Sequence, residues 1–473
     1  MAPFNDDVFF ATIPELNAAL RARKFSAVEL ARAFSERLEK LGPRYNALAL
    51  SLREQAIRQA KNADDDLRRE RFRGPLQGIP YGAKDLLAVA GQPTTWGAKP
   101  YAGQVFGFDA TAVQKLNKSG AVLTGKLSMV ELAGGGGYRY AAASLQGPGL
   151  NPWDLGRWSG GSSSGTGSAV AAGLVTFGLG SETSGSILTP SAYCGVTGLR
   201  PTYGLVSRYG AMALAWTMDK IGPMCRSAED CGLVLQIISG GDSKDPASAG
   251  KSFYFGPRYA PKPDQIRVGW APPDFFEAPE ESVRPVFQQA VEAVRSLGVQ
   301  ISDVRLPDLP YGLVTSTVIS AEGAAVFEPL IASGKVDELA DKKQIAGLKA
   351  GLDIAAKDYL KAMRIRSEIQ QAFRKLFSQV DVLLAPARPG PATKIDEPLD
   401  AASNRPQPKD PGLRALIPAG NCAGLPALSL PCGFVGGLPL AIQLVGRPFS
   451  ENTLLSLGKE FQSRTDWHRR RPR

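Results

Sequence analysis

The chain has 473 residues, 44% hydrophobic and 21% charged, with a formal net charge of +10, a composition that fits a folded protein with a large core and excludes a disordered one. No stretch approaches the roughly 20 apolar residues of a membrane-spanning helix, and the opening MAPFNDDVFFATIPEL lacks a basic segment leading into a long apolar run, so no secretory leader is expected. A single histidine, His468, excludes a two-histidine zinc site, and five cysteines without CxxC spacing (Cys194, Cys225, Cys231, Cys422, Cys432) fit reduced thiols in the cytoplasm better than a disulfide framework.

In chain order, residues 13–70 read as helices. Ser26-Ala27-Val28-Glu29 has capping-box spacing and is followed by Leu30, Ala33, Phe34 and Leu38 at helical intervals. Residues 78–82 form a Gly/Pro-punctuated turn into a short strand, and 121–124 a buried strand. Residues 130–204 are dense in Gly and Ser yet too apolar for a flexible linker, and 168–174 are small and helix-compatible. A polar Gly/Pro-rich connection spans 240–264. Beyond it come a strand at 266–270, an amphipathic helix at 281–297, mostly helix over 318–378, and strands at 380–384, 427–430 and 440–445. This alternation predicts an α/β fold with helices on both sheet faces, and no internal repeat is evident. The one dense basic run, His468 to Arg473, reads as a solvated tail, and no specific nucleic-acid binding is expected from it.

Three segments carry candidate chemistry. Ser159-Gly160-Gly161-Ser162-Ser163-Ser164-Gly165-Thr166-Gly167 fails as a phosphate cradle, because Thr166-Gly167 stands where Lys-Ser/Thr belongs. Its Gly161-Ser162-Ser163-Ser164-Gly165 matches a G-x-S-x-G nucleophile elbow, but 151–157 in front of it looks like loop rather than strand. An ordinary Gly/Ser turn is the bland reading. In Gly180-Ser181-Glu182-Thr183-Ser184-Gly185-Ser186, small residues would let backbone N–H groups converge near Ser186, as an oxyanion hole requires, unless the segment is only a turn between two strands. In Gly78-Ile79-Pro80-Tyr81-Gly82-Ala83-Lys84-Asp85, the lysine either reaches solvent, pairs with Asp85, or lies desolvated with a lowered pKa.

Together these segments resemble the amidase signature family, with its G-x-P-x-x-x-K-D, G-G-S-S and G-S-D-T-G-G-S-I-R-x-P-A patterns. The 24-residue interval from Ser162 to Ser186 matches, and the likeness runs from about residue 10 to the end, through Cys194-Gly195-Val196-Thr197-Gly198-Leu199-Arg200-Pro201 and Asn421-Cys422-Ala423-Gly424-Leu425-Pro426. The resemblance implies a large mixed β-sheet sandwiched between helices, as a single domain over 1–473. Within it, 1–70 would be a helical segment, 71–240 the catalytic core, 241–264 a linker-like insertion, and 265–473 the rest of the sheet and the pocket helices. It also implies that Ser186 is the acylated nucleophile and Ser162, after a cis peptide bond to Gly161, the proton relay. Lys84 would be the neutral base and the N–H groups of Thr183, Ser184, Gly185 and Ser186 the oxyanion hole, with Ser163 in support. No metal or cofactor is implied. Glu182, Ser184 and Leu188 depart from the pattern, where Asp, Gly and Arg are usual; Ser184 carries a Cβ at a position suited to positive φ.

The expected reaction is hydrolysis of a small amide, anilide or carbamate in the cytoplasm, with a homodimer as the assembly considered and no membrane span. Pocket walls are expected at 129–140, 321–330 and 420–422. Two alternatives stand beside it. One is the glutaminase-type component of a tRNA-dependent amidotransferase, although no Tyr-Asp-Gly run of that kind occurs in 320–370. The other is an α/β-hydrolase esterase using Ser163 and His468.

Overall fold

The computed structural model describes residues 4–399 and 412–472; Arg473, the end of the basic tail, lies outside them. In chain order the strands are β1 (Leu48–Ser51), β2 (Pro80–Lys84), β3 (Val122–Leu127), β4 (Leu150–Asn151), β5 (Asp154–Trp158), β6 (Phe177–Glu182) and β7 (Thr197–Arg200). They continue with β8 (Lys220–Cys225), β9 (Arg267–Trp270), β10 (Gln300–Asp303), β11 (Val382–Pro386), β12 (Ala427–Val435) and β13 (Leu438–Gly446). Eleven of them form one sheet in the order β1-β3-β2-β6-β8-β7-β12-β13-β11-β9-β10, flanked by helices, so the expected mixed α/β architecture stands. Strand β2 runs parallel to both neighbours, β3 and β6, while β6 to β11 are antiparallel pairs and β11, β9 and β10 are parallel again. Strands before and after residues 240–264 meet in this sheet where β7 pairs with β12, and that connection holds only two short turns, Pro257–Tyr259 and Pro263–Gln265.

The capping box forms as its spacing predicts. Ser26 Oγ accepts from the Glu29 N–H at 3.1 Å, and the Ser26 N–H donates to the Glu29 carboxylate at 2.8 Å, which starts the helix Ala27–Leu41. Its buried face is Leu30, Ala31, Phe34 and Leu38, with Ala33 only half-buried. Residues 281–297 contain the helix Arg284–Arg295, and 318–378 fall into Tyr311–Val326, Glu328–Ala332, Lys342–Gly351 and Ala356–Gln379. The segment read as loop before the Ser/Gly stretch is instead the small β4–β5 hairpin.

The site is positioned by the middle of the sheet. Every residue of β2 and β6 is buried, and Tyr81 stacks on Phe177 with ring centroids 5.1 Å apart, a contact worth about 1 kcal/mol beyond its buried area. The helix Ser164–Ala171 seats directly on this region because glycines leave room for it. A Cβ on Gly178 would come within 2.5 Å of Thr166 Cγ2, and one on Gly165 within 2.6 Å of the Ala47 carbonyl oxygen. Since β2 and β6 are parallel neighbours, Lys84 at the end of one and the 183–186 loop after the other emerge on the same side. Open α/β sheets bind ligands outside such carboxyl ends.

Candidate active site

Lys84 is the last residue of a buried strand, and its side chain is completely shielded from solvent. Its Nζ lies 2.7 Å from Ser162 Oγ, 3.1 Å from Ser163 Oγ and 2.9 Å from Ser181 Oγ. Burial pushes its pKa down to about 7, against the opposing pull of the Asp219 and Glu182 charges. Asp85 does not compensate it: the next residue turns to the other face, where its carboxylate pairs with buried Lys126 at 2.8 Å and accepts from the Thr95 N–H and hydroxyl. The desolvated reading of Lys84 is therefore the one the fold adopts.

The hydroxyls around Nζ differ in what they have free. Ser163 Oγ donates to the Ser181 carbonyl at 3.2 Å and accepts from the Ser181 N–H at 3.3 Å. Its proton is thus committed, and toward Lys84 it acts only as an acceptor. Ser162 Oγ has Lys84 as its partner among the described residues. The Gly161–Ser162 peptide bond is cis, as the resemblance implies, and the Ser162 carbonyl accepts from the Val130 N–H at 3.0 Å.

Ser186 stands on the loop after β6, tied to the Ser162–Ser163 turn by the Ser163 N–H, which donates to the Ser186 carbonyl at 3.3 Å. Glycine again permits the approach, because a Cβ on Gly160 would come within 2.6 Å of Pro190 Cα. Among the described residues no protein acceptor takes the backbone N–H of Thr183, Ser184, Gly185 or Ser186. The left-handed residue of this loop is Gly185 (φ 86°), whereas Ser184 carries no positive φ, so its Cβ is accommodated without strain.

Glu182 anchors the loop from below. Its carboxylate accepts from the Ile187 and Leu188 N–H groups at 2.8 and 3.0 Å, from Arg200 at 2.8 Å and from Asn421 Nδ2 at 2.8 Å. Burial raises its pKa, but Arg200, Asn421 and the Leu188 N–H outweigh this and hold it down at about 2. Leu188, where the family pattern has arginine, is fully buried among apolar neighbours. Asp219 accepts from the Thr183 hydroxyl at 2.6 Å and from the Leu214 and Ala215 N–H groups, fixing the other end of the loop.

Two cavities flank this loop. One, of about 590 Å³, is lined by Ser181 and Thr183 together with Tyr203, Met212, Leu214 and Trp216. The other, of about 510 Å³, is lined by Ser184, Gly185 and Thr189 with Arg388, Ile417 and Pro418. The expected walls are largely corrected. Of 129–140 only Ala133 lines either cavity, and nothing from 321–330 or 420–422 does, among the described residues. Asn421 is buried behind the loop because its amide is committed to Glu182, and Glu322 is committed to Thr217 and Tyr359.

The pairing of Ser163 with His468 does not form. His468 lies in a separate cleft with Asp7, Phe10 and Arg226, its imidazole pushed down to about 4 by burial and by Arg469 and Arg226. Nor is the tail simply solvated. The His468 and Arg470 carbonyls accept from Arg226, and Arg471 pairs with Asp7 at 2.7 Å. Sequence reasoning missed Ser181, Asp219 and the anchoring role of Asn421.

This arrangement, a desolvated lysine hydrogen-bonded to Ser162 with the Ser186 loop tied to the same turn at the mouth of a mixed α/β sheet, matches one protein class. The chain belongs to the amidase family, here the amidase signature enzymes, whose model matches residues 29–455. It is 35% identical over 500 residues to the A subunit of glutamyl-tRNA(Gln) amidotransferase from Carboxydothermus hydrogenoformans, covering 99% of this chain and 100% of that one. The peptide amidase of Stenotrophomonas maltophilia has a similar structure, with TM-score 0.83, 29% identity and 98% of each chain covered. The corresponding amidotransferase chain of Thermotoga maritima superposes with TM-score 0.76 at 27% identity, covering 97% of this chain and 96% of that one. The protein is accordingly an amidase-family enzyme that acts on C–N bonds. Among the described residues no helix is long and apolar enough to cross a membrane.

Proposed function

We propose that the enzyme hydrolyses an amide C–N bond through an acyl-enzyme on Ser186, with Ser162 relaying protons to and from neutral Lys84. The observation that carries this reading is the fully buried Lys84 amine, 2.7 Å from Ser162 Oγ with no carboxylate in contact among the described residues. A neutral amine has two N–H donors and one lone pair. Ser163 and Ser181 take the donors, and the lone pair faces the Ser162 hydroxyl. Ser162 passes its proton to Lys84 as it receives that of Ser186, whose oxygen attacks the substrate carbonyl carbon. The tetrahedral oxyanion is met by the uncommitted N–H groups of Thr183, Ser184, Gly185 and Ser186. Collapse breaks the C–N bond as the proton returns to the leaving amine, and water then frees the acid by the same relay.

The substrate class favoured by the largely apolar wall of Met212, Leu214 and Trp216 beside Thr183 is a small aryl or alkyl amide, anilide or carbamate, the last being a urethanase activity. Five buried free cysteines suit work in the cytoplasm. A second reading, the glutaminase component of a tRNA-dependent amidotransferase, draws support from the 35% identity over 99% of the chain. A panel of primary amides, anilides, carbamates, esters and glutamine separates them. Turnover of the first group by the chain alone, lost in Ser186→Ala, is expected; ammonia release from glutamine only, and only with added partner proteins, would move the assignment to the second.

A further inference from the structure

The cavity of about 510 Å³ beside Ser184 and Gly185 holds a positive charge that no carboxylate among the described residues cancels. Asp274 and Arg414, on its wall, pair with each other at 3.3 Å, and Asp274 also accepts from the Leu413 N–H. Arg388 has no such counterpart among the described residues. Its partly buried guanidinium keeps an Nε–H that no acceptor there takes. Its aromatic company is Tyr193, 5.9 Å from Cζ to the ring centroid, whose phenol oxygen accepts a hydrogen bond from the guanidinium and favours its charged form, and Tyr138, whose phenol burial holds in the neutral form. The backbone around it is pinned, with the Ala387 N–H donating to the Ala441 carbonyl at 2.8 Å and Pro389 following. A guanidinium lining a cavity whose carboxylate among the described residues, Asp274, is already paired with Arg414 is poised for a bidentate oxyanion partner.

We infer that Arg388 is a specificity-determining residue and that the substrate is an amide carrying a carboxylate, which Arg388 grips while the carbonyl lies against the 183–186 loop. Leu188 leaves no cation on the nucleophile loop itself; the cation comes instead from the segment after β11. This inference rests on the amidase reading of Ser186. The carboxylate can belong to the acyl part or to the amine part, and matched probes distinguish these: glutaramic acid against pentanamide, and 4-acetamidobenzoate against acetanilide.

The experiment measures kcat/KM for both pairs with wild type, Arg388→Gln and Arg388→Lys. Wild type is expected to favour the acidic member of at least one pair, and Arg388→Gln to cut the acidic-to-neutral ratio about 10- to 100-fold through KM, the range for a hydrogen bond to a charged group. Arg388→Lys should keep part of that ratio. Preference for the neutral member in both pairs, or a ratio unmoved by Arg388→Gln, overturns the inference. Calorimetric binding of the same four compounds to Ser186→Ala and to Ser186→Ala/Arg388→Gln separates the two readings. If nothing is hydrolysed, the acyl-enzyme reading fails, while loss of acid binding in the double variant still upholds Arg388 and equal binding refutes it.

Discussion

An ammonium group taken out of water loses hydration that three hydroxyls replace only in part, so Lys84 releases its proton far more readily than a surface lysine. With the folded pKa near about 7, the base form grows as pH rises through that value. The expected profile of kcat/KM from about pH 5 to about pH 10 is therefore a rise centred near neutrality and a plateau beyond it, whereas an ordinary lysine would still be titrating at ~10.4. Lys84→Ala should cost about a hundred- to ten-thousand-fold in kcat/KM, the scale of losing a general base. Lys84→Arg should be as poor, because guanidinium stays protonated above about pH 12. Near-full turnover by Lys84→Arg, with the fold verified by circular dichroism, would refute the lysine base. The Ser163 proton already serves the Ser181 carbonyl, so in the proposed mechanism Ser163 would support Lys84 rather than relay protons.

At the scale of elements, the 183–186 loop owes its shape to Glu182, which gathers two N–H groups, Arg200 and Asn421 onto one buried carboxylate. Glu182→Gln keeps the length but leaves the Arg200 guanidinium buried without its counter-charge, and removing one partner of such a pair costs about 3–5 kcal/mol. Urea unfolding should show that loss together with a collapse in activity; a variant as stable as wild type would contradict the anchoring role. Because the folded pKa of Glu182 is depressed, its stabilisation is complete above the unfolded value of 4.5 and disappears as pH falls toward about 2. The glutamate was visible in the sequence as a departure from pattern, but its partner Asn421 lies 239 residues away, and Asp219 is 36 residues from Thr183. No local signal joins such positions. Strands were legible where a continuous apolar run marks them, as in β3 and β13. They were not where the run is short and broken by glycine or proline, as in β6 (FGLGSE), β7 (TGLR) and β8 (KIGPMC), which are buried on both faces and show no alternation. Strand β1 was hidden between two helices, and the polar edge strand β10 (QISD) has no apolar face to announce it.

For the molecule as a whole, the lone histidine decides between two hydrolase architectures. His468 is docked with the N-terminal turn, its cleft lined by Asp7, Phe10 and Arg226 and by none of the signature serines. His468→Ala should retain turnover within a few-fold of wild type under saturating substrate, while unfolding at somewhat lower temperature because a buried ring is truncated. A loss of more than about a hundredfold would restore imidazole to the chemistry. The proposed mechanism would thus divide its parts over the sheet: the base at the end of β2, the relay in the turn before the helix Ser164–Ala171, and the attacking oxygen with the oxyanion-hole N–H groups in the loop after β6.

The most direct measurement is peptide mapping after reaction with a serine-directed fluorophosphonate, on wild type, Ser162→Ala and Ser186→Ala. Wild type should carry the adduct on Ser186 alone. Ser162→Ala should label the same serine far more slowly, and Ser186→Ala should not label although its fold is intact. An adduct on Ser162 or Ser163 in the wild-type enzyme would contradict the account.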